Sequence, residues 1–256
     1  MNHTENKDVC LNCGAPLDGS FCAQCGQKNI SPRLQMGDLF SDFFTHFLNV
    51  EAVLPKTLIG LTVNPGRVAR EYVTGKRIRY LNPLKYCLIL AACFMLLNAA
   101  LHIDVTGGMT ERLDTFQSQS QSQTEFIGAA RKLILFTFSH LDKFLLLVLP
   151  LYAVILFFLF PRSGFNITEI LAFLLLVTGH RFLFAMLATL LSLIFPWLLI
   201  PIRLVFLYVY FAYAAVVFFD VPPVSGTIKA FAATFIYIFM VVVIMFLLLI
   251  VLLLSS

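Results

Sequence analysis

Charge is what this sequence has least of. Asp, Glu, Lys and Arg make up 12% of its 256 residues, where a soluble domain carries about a quarter, and hydrophobic residues make up 59%, including 27 Phe. A soluble enzyme or a soluble binding module is excluded on that ground. Common chemical signatures are missing as well: no nucleophile elbow, phosphate loop, HExxH helix or pair of intramembrane aspartates occurs. Residues 1–9 (MNHTENKDV) contain no apolar signal region, so the N-terminal segment is expected not to be exported. What is present divides into a polar head and a membrane body, since positions up to Lys85 hold ten of the eighteen Lys and Arg.

A bilayer core of about 30 Å takes about 20 apolar residues at 1.5 Å each. By that ruler the chain is an all-α polytopic membrane protein with about five transmembrane helices, near 84–101, 144–160, 170–195, 204–219 and 227–254. Pro150 is expected to kink the second. The third carries His180-Arg181 near its middle and is read as one long span, the alternative being a half-helix at 170–179 followed by a span at 182–200. Residues 102–143 include SQSQSQ and read as an unstructured polar loop, in which 127–138 is apolar enough to lie on the membrane surface. Cys87 and Cys93 are read as small buried apolar residues of the first span.

Orientation follows from Arg67, Arg70, Lys76, Arg77, Arg79 and Lys85, which crowd the N-terminal side of the first span. The positive-inside rule places the head in the cytoplasm, and five crossings would put the C-terminus outside. The same six residues are candidate contacts for membrane lipids, at about 1 kcal/mol each near an anionic surface, or for a cytoplasmic protein partner.

The head contains CLNCGAPLDGSFCAQCGQ, from Cys10 to Gln27. Two CxxC turns present Cys10, Cys13, Cys22 and Cys25, a full set of four soft ligands for tetrahedral Zn2+, and the glycines after them permit the positive φ that such a turn needs. A redox dithiol would sit at a helix start in a βαβ unit, for which residues 1–30 have neither length nor pattern. The expectation is a small ribbon hairpin around structural zinc, closed to catalysis because no coordination position is left open.

Between head and membrane, Met36, Leu39, Phe40, Phe43, Phe44, Phe47 and Leu48 recur at helical spacing, with Asp38, Asp42 and His46 elsewhere on the wheel. Its acidic polar face suits docking on protein better than adsorption to acidic lipid. The organisation expected is a cytoplasmic zinc ribbon at 1–30, an amphipathic and basic juxtamembrane segment at 31–83, and a helical membrane domain at 84–256. In this order CLNCGAPLDGSFCAQCGQ and LPKTLIGLTVNPGRVAREYVTGKRIRYLNPLKYCLIL resemble the bacterial membrane proteins grouped as domain of unknown function 3667. The resemblance implies a multi-pass inner-membrane protein with a zinc-ribbon head, and it brings no established activity.

Glu169, His180 and Arg181 form a possible intramembrane polar site. Glu169 and His180 lie eleven residues apart, three turns plus about 20°, hence on one face and about 16 Å apart. Asn166-Ile167-Thr168-Glu169 equally reads as a helix start capped by Asn166. Arg181 costs about 2.5–3.5 kcal/mol at a helix centre unless it faces protein or water. Similar proteins tend to carry a Glu-His pair at the start of this helix, where the chain has Glu169-Ile170, which weakens a metal or proton-relay role. The leading expectation is a membrane-embedded interaction or regulatory protein with no enzymatic activity and no nucleic-acid partner. A transporter for a small solute, ion or lipid using the third span is the second, and an intramembrane enzyme the third.

Overall fold

A run of apolar residues in a membrane must satisfy its own backbone, and it does so as a helix. The computed structural model describes residues 9–29, 33–45, 50–101 and 144–255, and among them helix dominates and no strand forms. The helices are α1 (Met36–Thr45), α2 (Val50–Val63), α3 (Pro65–Val73), α4 (Pro83–Leu101), α5 (Leu149–Leu159), α6 (Ile167–Ser192), α7 (Leu199–Val205), α8 (Phe211–Phe219) and α9 (Pro223–Ser255). The segment at 1–8, the polar loop at 102–143 with its apolar stretch, and His46, Phe47 and Leu48 lie outside the described residues.

Four helical stretches among the described residues are long and apolar enough to cross a membrane: Arg77–Leu101, Ile167–Ser192, Leu199–Phe219 and Pro223–Leu248. The crossing expected at 144–160 is represented by a helical turn at 144–147 followed, after Val148, by α5, whose own 11 residues reach about 16 Å. The helical path through 144–159 is interrupted at Val148, two residues before Pro150, where the sequence expects a kink. Pro150 occupies the first turn of α5, because a residue without an N–H is best placed where that N–H has no helical partner. The third span is one continuous helix. The fourth begins five residues before its expected start, since Pro201 is tolerated in the opening turn of α7, and a π turn at Phe206–Tyr210 joins α7 to α8. The last likewise begins at Pro223 rather than 227.

Helix α6 is the axis of the bundle. Within its most apolar stretch 67% of residues are buried, against 28–33% in the other three spans, which leave one side for lipid. Helix α4 lies closely along α6 because Gly179 offers no side chain: a Cβ there would stand 2.7 Å from the Tyr86 ring and 3.0 Å from the Cys87 backbone. Cys87 is accordingly buried as expected, whereas Cys93, expected to be buried too, is exposed. Aromatic stacking locks α8 to its neighbours, with Phe173–Phe218 centroids 4.4 Å apart and Phe160–Phe219 at 4.1 Å.

Several polar contacts gather one end of the bundle. Arg33 donates to the Gly164 carbonyl (3.0 Å), Asn166 to the Leu34 carbonyl (3.2 Å) and Lys229 to the Leu159 carbonyl (3.1 Å). Arg70 pairs with Asp220 at 3.2 Å, across 150 residues of sequence. Helix α1 docks here by burying Leu39, whose carbonyl accepts from Asn82 at 3.0 Å, while Met36 and Phe40 stay exposed.

Candidate metal centre and its seat on the bundle

The two CxxC turns are built alike, twelve residues apart. In the first, Cys10 N–H donates to the Ala15 carbonyl (2.8 Å) and Gly14 N–H to the Cys10 carbonyl (2.9 Å); in the second, Cys22 donates to Gln27 (2.8 Å) and Gly26 to Cys22 (2.9 Å). Gly14 and Gly26 take φ of 77° and 72°, the left-handed conformation that lets each turn fold back on its sulfurs. The backbone bonds are used up inside the turns, so the expected hairpin reduces to two isolated bridges, Val9 with Pro16 and Phe21 with Lys28.

This brings the four sulfurs within 4.8 Å of one another, with Cys10–Cys25 and Cys13–Cys22 at 3.5 Å. A tetrahedral site with bonds of about 2.3 Å has edges of about 3.8 Å, so the donor set fits a metal ion. The thiols also show the conflict that a cation resolves. A hydrogen bond from the Asn12 side chain is the largest influence on Cys25 and brings its pKa to about 6. At Cys13 the Ala15 N–H pulls downward, but desolvation and the sulfurs of Cys22, Cys25 and Cys10 prevail and push it to about 12. Sulfurs so close cannot all ionise unless a positive charge sits among them.

The head is fastened to the membrane domain through Gln27. Its side-chain amide donates to the Gly75 carbonyl at 2.8 Å and accepts from the Ile78 N–H at 3.3 Å, gripping the turn that carries Gly75-Lys76-Arg77. Because the Gln27 carbonyl also closes the second cysteine turn, metal site and clamp share one residue. Leu11 of the first turn lies over Gly75, where a Cβ would meet its side chain at 2.6 Å, and Gly75 has φ of 116°. The seat therefore requires glycine twice over, for space and for backbone conformation.

The basic residues around the seat divide into two sets. Arg77 and Lys85 are buried at 7% and 3% exposure; Arg77 pairs with Asp38 of α1 at 3.3 Å and Lys85 stands over the Phe43 ring. Arg67, Arg70, Lys76 and Arg79 remain at the surface. Three of these surround Glu71, with Arg67 at 3.3 Å, Arg79 at 3.5 Å and Lys76 at 3.6 Å, and the Tyr80 hydroxyl donates to it at 2.7 Å. Burial pushes the Glu71 carboxyl up, but the Tyr80 hydrogen bond, Lys76 and Arg67 outweigh it and leave it below the usual value of 4.5. A depressed carboxyl stabilises the fold above its unfolded pKa, and that contribution is lost as pH falls through the folded value. Thermal stability should therefore decline below about pH 4.5 more steeply in the wild type than in Glu71→Gln, by about 1 kcal/mol or less because the cluster is solvent-screened.

The Gly75 turn, α2, α3 and the start of α4 form one unit beneath the head, and this unit is where comparison with known families finds its match. Residues 51–95 match the family described as a protein of unknown function, DUF3667. The resemblance read from the sequence is thereby shown over that segment. No curated protein and no solved structure matches the chain.

Within the DUF3667 segment, Thr62 and Tyr86 reach His180 of α6. His180 is fully buried, with Nε2 3.1 Å from the Thr62 hydroxyl and Nδ1 2.7 Å from the Tyr86 hydroxyl. Thr62 has a single hydroxyl hydrogen, and the Leu58 carbonyl takes it at 2.9 Å. Thr62 must then accept from Nε2–H, and Tyr86 donates to Nδ1. The chain of donors ends on a backbone carbonyl, so it fixes α2 and α4 to α6 and leaves no proton to pass on. Thr62→Val keeps the shape but orphans Nε2–H. It should lower the stability of the purified protein by about 1–3 kcal/mol in thermal unfolding; an unchanged transition would refute the assignment.

The three polar residues of the third span do not form one site. Glu169 closes a capping box with Asn166, the two reciprocal bonds both 2.8 Å. Arg181 faces away from His180, over the Phe182 ring at 5.0 Å and along a separate cleft. Gln27, Thr62 and Tyr86 escaped the sequence reading. Of these only Gln27 carried a signal, as the last residue of the CGQ motif.

Proposed function

We propose that the chain is an interaction or regulatory protein of the bacterial inner membrane, with a structural zinc ribbon held on the cytoplasmic side. The observation that carries this reading is the Gln27 clamp, which fixes a metal-type head to the basic juxtamembrane turn. Cys10, Cys13, Cys22 and Cys25 would hold the zinc, which supplies folding energy and no reaction, all four positions being filled by thiolate. Above the bundle, Arg67, Arg70, Lys76 and Arg79 offer a cationic surface to acidic lipid or an acidic partner, and Phe21 of the head is 58% exposed. Of the six residues envisaged from the sequence, Arg77 and Lys85 are buried, and the proposed surface rests on the other four, Arg67 exposed and Arg70, Lys76 and Arg79 half-buried.

Affinity purification of the intact protein from solubilised membranes tests the reading. A co-purifying partner should be lost with Cys22→Ser or Gln27→Ala and kept with Arg181→Met. Loss with Arg181→Met alone would favour the transport reading, for which the cleft at Arg181 is the supporting feature.

A further inference from the structure

Helix α2 is joined to the membrane spans near the middle of their length. The Thr62 hydroxyl bonds His180, the fourteenth of the 26 residues of α6, and the Leu61 carbonyl accepts at 2.9 Å from Tyr210, the twelfth residue of the 21-residue span Leu199–Phe219. His180 is thus about 20 Å from the start of α6, a helix about 39 Å long beside a bilayer core of about 30 Å. The chain turns back at this depth. Asn64 accepts from the Arg67 N–H at 3.1 Å and opens α3 with Pro65 in its first turn. Gly66 lets the apex press on α8, since a Cβ there would meet the Ala214 carbonyl and lie 2.6 Å from Val217. Thr57 and Leu61 are fully buried on the inner face of α2, while Ile59 and Val63, about 200° round the helix, are 67% and 72% exposed, as open as Leu96 (70%) of the membrane span α4. The α2 hydroxyls are satisfied within the helix, Thr57 by the Val53 carbonyl and Thr62 by the Leu58 carbonyl.

We propose that α2 and α3 form a re-entrant hairpin whose apex enters the bilayer leaflet on the head's side, with Ile59 and Val63 against phospholipid acyl chains and Lys56 and Arg67 at the phosphates. An outward apolar face at the depth of a span has hydrocarbon as its solvent, and a break in the helix is tolerated there where protein buries it, as Pro65 and Gly66 are buried. Lys56 is exposed on the same face, about 10 Å from Val63 along α2. Arg67, in the first turn of α3, has its side chain 72% exposed and pairs with Glu71 at 3.3 Å. Both side chains have stems that lie along apolar surface and carry the charge to the headgroups. The membrane domain then starts with α2, inside the DUF3667 match, and not at 84. The inference needs only the membrane class of the chain and stands whether or not the head binds zinc.

The test is the depth of this face in the full-length protein reconstituted in liposomes. Trp197 is the single tryptophan of the chain, so Trp197→Phe clears the background for Ile59→Trp and Val63→Trp, with Phe21→Trp of the head and Leu96→Trp of α4 as references for water and lipid. A face seated about 5–10 Å into the headgroup and acyl boundary should be quenched about twofold more by phosphatidylcholine brominated high on its acyl chains than by the same lipid brominated near the chain ends. Acrylamide should quench Phe21→Trp and spare Val63→Trp. Acrylamide quenching equal to that of Phe21→Trp, with no effect of bromine, puts the face in water, and quenching by neither puts protein over it, a second copy of the chain included; either result overturns the proposal. Should the tryptophan variants fail to fold, the wild type decides: phosphatidylcholine carrying a diazirine high on its chain should label the tryptic peptide 57–67, released by cleavage after Lys56 and Arg67, and that peptide free of label overturns the proposal too.

Discussion

Gly75→Ala should release the cysteine head from the membrane domain while leaving the spans in place. Two penalties combine at this residue. A φ of 116° is open to glycine and strained for alanine, at about 1–3 kcal/mol, and the added methyl would lie 2.6 Å from the Leu11 side chain, an overpacking of about 1–3 kcal/mol. The seat itself rests on two Gln27 hydrogen bonds and this apolar contact, so a loss of about 2 kcal/mol or more is enough to open it. Limited trypsin digestion in membranes gives the readout, because Lys28 and Arg33 connect head to bundle: cleavage there should rise several-fold. Adding Leu11→Ala should restore only the part due to crowding, which separates the two penalties. Wild-type cleavage kinetics in Gly75→Ala would mean that the head is held by something other than this seat.

Removing the metal should have the larger effect on the head. Its apolar core is Cys10, Ala15 and Cys22, with Leu17 and Cys25 packed against them, far too little to fold alone. Structural zinc contributes about 10–16 kcal/mol of apparent binding energy in small cysteine-rich units. Purified protein should contain one zinc per chain, and chelation, or Cys10→Ser with Cys22→Ser, should unfold residues 9–29 and free the Gly75 turn. Helices α4, α6, α8 and α9 draw their packing from one another and should keep their helical signal. Cobalt exchange should give the absorption of a tetrahedral four-thiolate site. Protein that carries no metal, or a head that resists proteolysis equally with and without chelator, would sink the assignment.

What was legible in the sequence shares one physical property: it is local. The capping box of Asn166 and Glu169 spans four residues, as does each cysteine turn, and the apolar runs announce helices through periodicity that any short window contains. Two boundaries differ, with α7 opening at Leu199 rather than at 204 and α9 at Pro223 rather than at 227, because an opening turn accepts proline.

The sequence by itself thus determined the membrane class, the helical body and the four-sulfur centre, since composition, 3.6-residue periodicity and CxxC spacing need no partner elsewhere in the chain. Tertiary structure decided how those parts are joined. Gln27 meets Gly75 across 48 residues, and His180 meets Thr62 and Tyr86 across 118 and 94. It also separated His180 from Arg181, which adjacency in sequence had grouped: neighbours on an α-helix point about 100° apart, so one faces α2 and α4 while the other lines a cleft against α5 and α9.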